Sequence, residues 1–223
     1  MFYGFFLGVC FLVFKLCNRF EVLGTENIKE IADGKAGFFA ANHASAIDCY
    51  MLAAALYFPY RRRISPLTRS VWINHPYAGF FLRSCDAIAL DKRGRYSLLG
   101  AIRESQNRLD KGVSVVGCPE GIRTATGRLN ELKGGLPLIA VKTKAPVIPV
   151  WLGGSFRALP AGACFLRPAK LYVEFGRPID PEELPTELTD KEKTALILEK
   201  LNEFYREREA RDIKNGILKL KEN

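Results

Sequence analysis

The chain has 223 residues, 48% of them hydrophobic, and 33 Lys and Arg against 24 Asp and Glu give a formal charge of +9, enough apolar sequence to bury one domain or two. Six cysteines at 10, 17, 49, 85, 118 and 164, with no Cys-x-x-Cys pair, and only two histidines argue against a metal site of ordinary spacing and read as free thiols in a reducing compartment. The positive excess leaves three readings open: an anionic lipid surface, nucleic acid, or solubility alone.

Met1 to Phe14 carries no charge and six aromatic residues before Lys15 interrupts it. As a helix it spans about 21 Å, short of the roughly 30 Å hydrocarbon core of a bilayer. It lacks the basic start and small-residue cleavage site of a secretory signal, so it reads as a retained interfacial or re-entrant helix. On this reading residues 1–20 are a hydrophobic membrane-associating segment and residues 21–223 form the main domain. Such a segment favours a membrane over nucleic acid as the partner of the charge, and no recognisable nucleic-acid module accompanies it.

Gly37-Phe38-Phe39-Ala40-Ala41 reads as a short buried strand, and Asp48 to Tyr57 as a helix halted by Pro59. Between them lies Asn42-His43-Ala44-Ser45-Ala46-Ile47-Asp48. At about 100° per residue, five helical steps leave the His43 and Asp48 side chains about 140° apart, so only a bend brings them together. Brought together, they supply a general base and its orienting acid, because a carboxylate on one ring nitrogen fixes the tautomer and steadies the imidazolium. The plainer reading is a histidine in a turn capped by an aspartate. Asn42 has two readings as well, a contact to substrate or a backbone cap. Tyr57-Phe58-Pro59-Tyr60-Arg61-Arg62-Arg63 is an aromatic and basic cluster suited to lipid headgroups or to a solvated loop. His75, followed by Pro76 among aromatic residues, reads as packing or a turn.

Tyr96 to Leu109 follows a helical pattern that stops at Gly112. Val113-Ser114-Val115-Val116-Gly117 is a β-branched buried strand running into Cys118-Pro119-Glu120-Gly121-Ile122-Arg123-Thr124. Ligands bind at the carboxyl ends of strands in α/β sheets, so the His43 and Glu120 turns are expected on one edge, where the Arg123 guanidinium suits a phosphate. A surface ion pair between Glu120 and Arg123 is the alternative. Lys133 precedes a helix over Gly134 to Lys144 and reads as an anion contact or a solvated lysine. Lys170 to Phe175 alternates as a strand with one exposed face. Thr189-Asp190-Lys191-Glu192 is a capping box for a last helix, with Leu198, Leu201 and Tyr205 along one stripe and an end near Gly216; it reads as a cover for the sheet. The fold class is α/β: a single domain with a mostly parallel or mixed sheet flanked by helices, on an N-terminal membrane-interfacial helical segment.

The Asn42-His43-(four residues)-Asp48 stretch, the Pro119-Glu120-Gly121-Ile122-Arg123 turn and the apolar Ala145-Pro146-Val147-Ile148-Pro149-Val150 strand together resemble the glycerolipid acyltransferase family, that of the bacterial 1-acylglycerol-3-phosphate acyltransferases. The family's remaining motif, a strand ending in a basic residue, is matched by Ala87-Ile88-Ala89-Leu90-Asp91-Lys92-Arg93. Ala89 replaces an aromatic and Lys92 an arginine, so Lys92 and Arg93 are both candidates for the charge. Ile122 stands where threonine is usual. The resemblance covers about Glu21 to Pro181, which makes residues 21–223 the acyltransferase domain.

The resemblance implies an enzyme in which His43 takes a proton from a lipid hydroxyl and Asp48 orients His43. Asn42, Lys92, Arg93, Glu120, Gly121, Arg123 and Pro149 would line the substrate site. The donor would be acyl-CoA or acyl-carrier protein, with no metal and no further cofactor. Lysophosphatidic acid is the favoured acceptor, because Arg123 with Lys92 or Arg93 exceeds what a zwitterionic headgroup needs, and the product is phosphatidic acid. Other acceptors kept open are a lysophospholipid, an ornithine lipid or glycerol 3-phosphate, and a non-catalytic membrane lipid-binding protein is the reading without turnover. A covalent route through Cys118 or Ser45 is the weaker mechanism. The expected location is a membrane, peripheral or monotopic on its cytoplasmic face.

Overall fold

The computed structural model describes residues 2–76, 78–91 and 97–220. In chain order the elements are α1 (Phe2–Asn18), β1 (Glu21–Leu23), a 3-10 turn (Thr25–Ile28), α2 (Lys29–Ala32), β2 (Phe38–Ala41), α3 (Asp48–Tyr60), β3 (Ile64–Thr68), α4 (Ser70–Ile73), α5 (Ala78–Ser84), β4 (Ile88–Ala89), α6 (Leu98–Leu109), β5 (Ser114–Gly117), α7 (Gly135–Thr143), β6 (Val147–Gly153), α8 (Ser155–Ala158), β7 (Tyr172–Phe175) and α9 (Asp190–Lys214).

The strands described form one sheet in the order β1-β7-β6-β2-β5-β3-β4. All neighbours are parallel except β6 and β7. The sheet is therefore mixed, with β2, β5 and β6 at its centre and buried along their whole length, as continuous apolar strands in covered parallel sheets are. Side chains alternate between the faces. Phe39, Ala41, Ile148, Val150 and Leu152 join α1 and α3 in one core; Phe38, Ala40, Val147 and Trp151 join α6, α7 and α9 in the other.

Three expectations are corrected by packing. The helix α3 is not halted by Pro59 but runs to Tyr60, because Tyr57 packs on Tyr3 and Phe58 on Phe11 of α1, which holds the last turn. Arg61 then ends it at φ 55°, with the Arg61 N–H on the Tyr57 carbonyl and the Arg62 N–H on that of Leu56, a left-handed cap. β7 has no exposed face. Tyr172, Val173 and Phe175 are buried, and Glu174 is held by Arg208 at 3.1 Å and Arg211 at 2.7 Å from α9. The third concerns α1, which extends past Lys15 to Asn18. Asn18 is buried and donates to the Arg167 and Ala169 carbonyls at 2.9 and 3.2 Å.

One side of α1 enters the first core through Tyr3, Leu7 and Phe14, while Phe5, Val9, Leu12, Val13 and Leu16 are exposed. Among the described residues no helix is long and apolar enough to cross a membrane.

Candidate active site

β2 and β5 are in register, Ala40 opposite Gly117, so the chain leaves both strands at the same edge. That edge receives the His43 turn from β2 and the Glu120 turn from β5, as the parallel arrangement requires. The His43 turn bends so that Asp48, the first residue of α3, faces back along it. Asp48 Oδ2 accepts the Ala44 and Ser45 N–H groups at 2.8 Å each and lies 2.9 Å from His43 Nδ1. A buried carboxylate that already takes two N–H donors is an acceptor, so Nδ1 carries the ring proton and the Nε2 lone pair is left as the base. The imidazole is 29% exposed while Asp48 is nearly closed off, which leaves the reactive nitrogen accessible and its orienter dry.

Glu120 lies beneath this turn, 2% exposed. Its Oε1 accepts the His43 backbone N–H at 2.6 Å and its Oε2 the Asn130 N–H at 2.9 Å. Burial pushes its carboxyl up from the ordinary 4.5 to about 6, against the lowering effect of those two hydrogen bonds and of His43. Glu120 thus joins the two turns and makes no ion pair with Arg123. The Thr124 N–H closes the link from the other side, donating to the His43 carbonyl at 2.9 Å. Gly121, at φ 72°, lets the chain reverse directly after Glu120, a conformation that favours glycine.

Arg123 is half-buried with its guanidinium 5.8 Å from the centroid of the Trp72 ring, a cation–π contact that presents the fork at the edge of the sheet. Ile122 points to solvent, and only its carbonyl is used, by the Asn130 side chain at 3.3 Å. Isoleucine therefore fits where a threonine would. Lys133 Nζ lies 3.5 Å from where a Cβ on Gly121 would be, and its backbone N–H holds the Pro119 carbonyl at 2.8 Å. β4 runs parallel beside β3 and ends at the same edge. Lys92 and Arg93, which follow it, lie outside the described residues.

Two predicted residues sit deeper. The Asn42 side chain bonds the Leu152 backbone at both ends, Oδ1 accepting the N–H at 2.7 Å and Nδ2 donating to the carbonyl at 3.4 Å, so it locks β2 to β6. Pro149 is buried within β6 opposite Ala40, three residues before His43 on the neighbouring strand. The residues considered for a covalent route are poorly placed for it. The Ser45 hydroxyl is buried and donates to the Leu159 carbonyl at 2.6 Å, and burial holds the Cys118 thiol well above its usual range. His75 serves a turn, its Nδ1 accepting the Ala78 N–H at 3.3 Å beside the Trp72 ring. Among the described residues no group of three or more His, Cys, Asp and Glu is placed to hold a metal ion.

Thr124 and Asn130 were not legible as site residues, because each acts through its own backbone N–H, on the His43 carbonyl and on Glu120, which no side-chain pattern shows. The arrangement they complete is a fixed, half-open imidazole able to take a proton from a hydroxyl, flanked by a guanidinium that suits an anion.

The Acyltransferase family matches residues 19–153. A 1-acyl-sn-glycerol-3-phosphate acyltransferase of Limnanthes alba is 25% identical over 171 residues, 76% of this chain and 58% of that protein. Another, of Pseudomonas aeruginosa, is 26% identical over 133 residues, 59% of this chain and 48% of that protein. The chain spans about half the length of the curated relatives it matches. The crystal structure of the 1-acyl-sn-glycerophosphate (LPA) acyltransferase PlsC from Thermotoga maritima superposes with a TM-score of 0.66 at 26% identity, covering 86% of this chain and 72% of that one. The matched segment holds the His43 turn, the Glu120 turn and β6 that locks onto Asn42, and the chain belongs to the Acyltransferase family.

Proposed function

We propose that the protein moves a fatty acyl group from a thioester, acyl-CoA or acyl-carrier protein, to the free hydroxyl of lysophosphatidic acid, giving phosphatidic acid and a free thiol. The observation that carries the reading is the 2.9 Å contact between His43 Nδ1 and buried Asp48, which leaves Nε2 as a base at the edge of the sheet. His43 Nε2 takes the hydroxyl proton as the oxygen attacks the thioester carbonyl carbon. The tetrahedral intermediate then expels the thiolate, which takes the proton back from the imidazolium, so His43 ends as it began. Positioned base catalysis of this kind supplies about 10²- to 10⁴-fold, and the remainder comes from holding donor and acceptor together.

Arg123, on the Glu120 turn and over the Trp72 ring, is the cation assigned to the acceptor phosphate, with Lys92 or Arg93 as the companion that the family resemblance implies. The names of the relatives support lysophosphatidic acid as the acceptor. The exposed apolar side of α1 supports a monotopic or peripheral seat on a membrane, where such an acceptor resides, and the free cysteines fit a cytoplasmic face.

The test is phosphatidic acid formation in detergent micelles from palmitoyl-CoA and lysophosphatidic acid, with lysophosphatidylcholine as competitor. Wild type should form phosphatidic acid, His43→Ala should not, and the zwitterionic competitor should be acylated poorly. Equal use of both acceptors would refute the assignment of the headgroup, and an active His43→Ala would refute the base.

A further inference from the structure

The inward stripe of α9 changes character along its length. Its first half buries Ile197 and Leu201, and its second half buries Tyr205, Glu209 and Asp212. The spacing of four and then three residues keeps these on one face, so the change is not a drift toward solvent. A helix that served only as a cover would continue the stripe with aliphatic side chains, since buried carboxylates need partners to be tolerated.

Each polar member reaches a group adjoining the catalytic turns. The Tyr205 hydroxyl donates to the Ala40 carbonyl at 2.6 Å, three residues before His43. Burial, and after it the nearness of Cys118 and Glu120, holds this phenol well above its ordinary range, so it remains a donor. Glu209 Oε1 accepts the Leu129 N–H at 2.6 Å, and Arg206 fixes the other oxygen at 3.0 Å. The residue after Leu129 is Asn130, whose N–H is bound by Glu120. Asp212 accepts from Trp151 Nε1 at 2.9 Å and from the Tyr172 hydroxyl at 2.5 Å. The residue after Trp151 is Leu152, to which Asn42 is bonded.

We infer that Tyr205 and Glu209 are positioning residues for acyl transfer, with α9 setting the end of β2 and the 129–130 loop and, through Glu120, the place of the His43 backbone. Asp212 fastens the helix to β6 and β7 so that the other two hold their distances. The inference rests on the reading of His43 as the base.

Kinetics and thermal unfolding of Tyr205→Phe, Glu209→Gln and Leu201→Ala test it. Leu201 lies on the same stripe in the second core, so Leu201→Ala should lower Tm and leave kcat unchanged in the folded protein. Tyr205→Phe and Glu209→Gln should lower kcat by about tenfold or more with KM for both substrates little changed, since small displacements of a reacting group are costly. Because the path runs through Glu120, Glu209→Gln combined with Glu120→Gln should cost less than the two separately.

A kcat in Tyr205→Phe and Glu209→Gln that follows Leu201→Ala at equal loss of Tm would overturn the inference, as would an additive double variant. Should Glu209→Gln fail to fold, Tyr205→Phe keeps the ring and decides alone. An active His43→Ala sinks the base reading instead, so the two failures are distinguishable.

Discussion

On the α1–α3 side of the sheet, contact is made almost entirely by rings and aliphatic chains: Tyr3 against Tyr57 and Phe81, Phe6 against Tyr50, Phe11 against Phe58. On the α9 side an apolar core gives way to Tyr205, Glu209 and Asp212, each hydrogen-bonded to a strand or loop that feeds the site. Apolar burial is non-directional, whereas a buried hydrogen bond has a narrow distance and angle. One side therefore suits anchoring and the other suits precise placement of His43, and substitutions on the two should fail differently.

The largest effect is expected at the dyad. Asp48→Asn keeps the shape but presents an amide in place of an obligate acceptor, favouring the wrong tautomer of His43. It should lower kcat on the order of 10³- to 10⁴-fold with a normal Tm, and a loss under tenfold would show that Asp48 only holds the Ala44 and Ser45 N–H groups of the turn.

Glu120 comes next and separates stability from activity. Its folded carboxyl titrates near 6 and its unfolded one near 4.5, so the native state holds the extra proton in that window. Stability should accordingly fall by about 2 kcal/mol in all as pH rises from well below 4.5 to well above 6, a slope that denaturant unfolding should find absent in Glu120→Gln. Activity should change the opposite way, falling as pH drops through about 6, because a protonated Glu120 holds the His43 and Asn130 N–H groups less well.

Arg123→Lys should raise KM for lysophosphatidic acid about tenfold with little change for the thioester, since a lysine loses the two-pronged contact and the stack on Trp72. The smallest effect belongs to the anchoring side. Leu16→Ser, at a residue 75% exposed on α1, should weaken binding to anionic vesicles about fivefold while activity in micelles is unchanged. If instead it lowered kcat in micelles as Tyr205→Phe does, the contrast between the sides would fail.

Much of this was legible because it is local. The alternation of strand and helix, the bend required between His43 and Asp48, and the meeting of two turns at one edge all follow from short stretches of sequence. Strand order was not, since β6 lies beside β2 and β7 only because of contacts made late in the chain. Glu120 was singled out, but its partner is a backbone N–H 77 positions away, which no side-chain pattern reveals. Asn42 was read as either a substrate contact or a backbone cap, and its side chain is bonded to Leu152, 110 positions away. The polar half of the α9 stripe escaped notice because Glu209 and Asp212 look like the solvated face of a charged helix until the loops they bond are in place.

The most direct measurement is rapid-quench thiol release from palmitoyl-CoA by the wild-type protein in micelles without an acceptor. Direct attack by a lipid hydroxyl activated at His43 predicts no burst, with release starting only when lysophosphatidic acid is added. A burst of thiol stoichiometric with enzyme in the absence of acceptor would contradict it, and would mean that a side chain of the protein is acylated first.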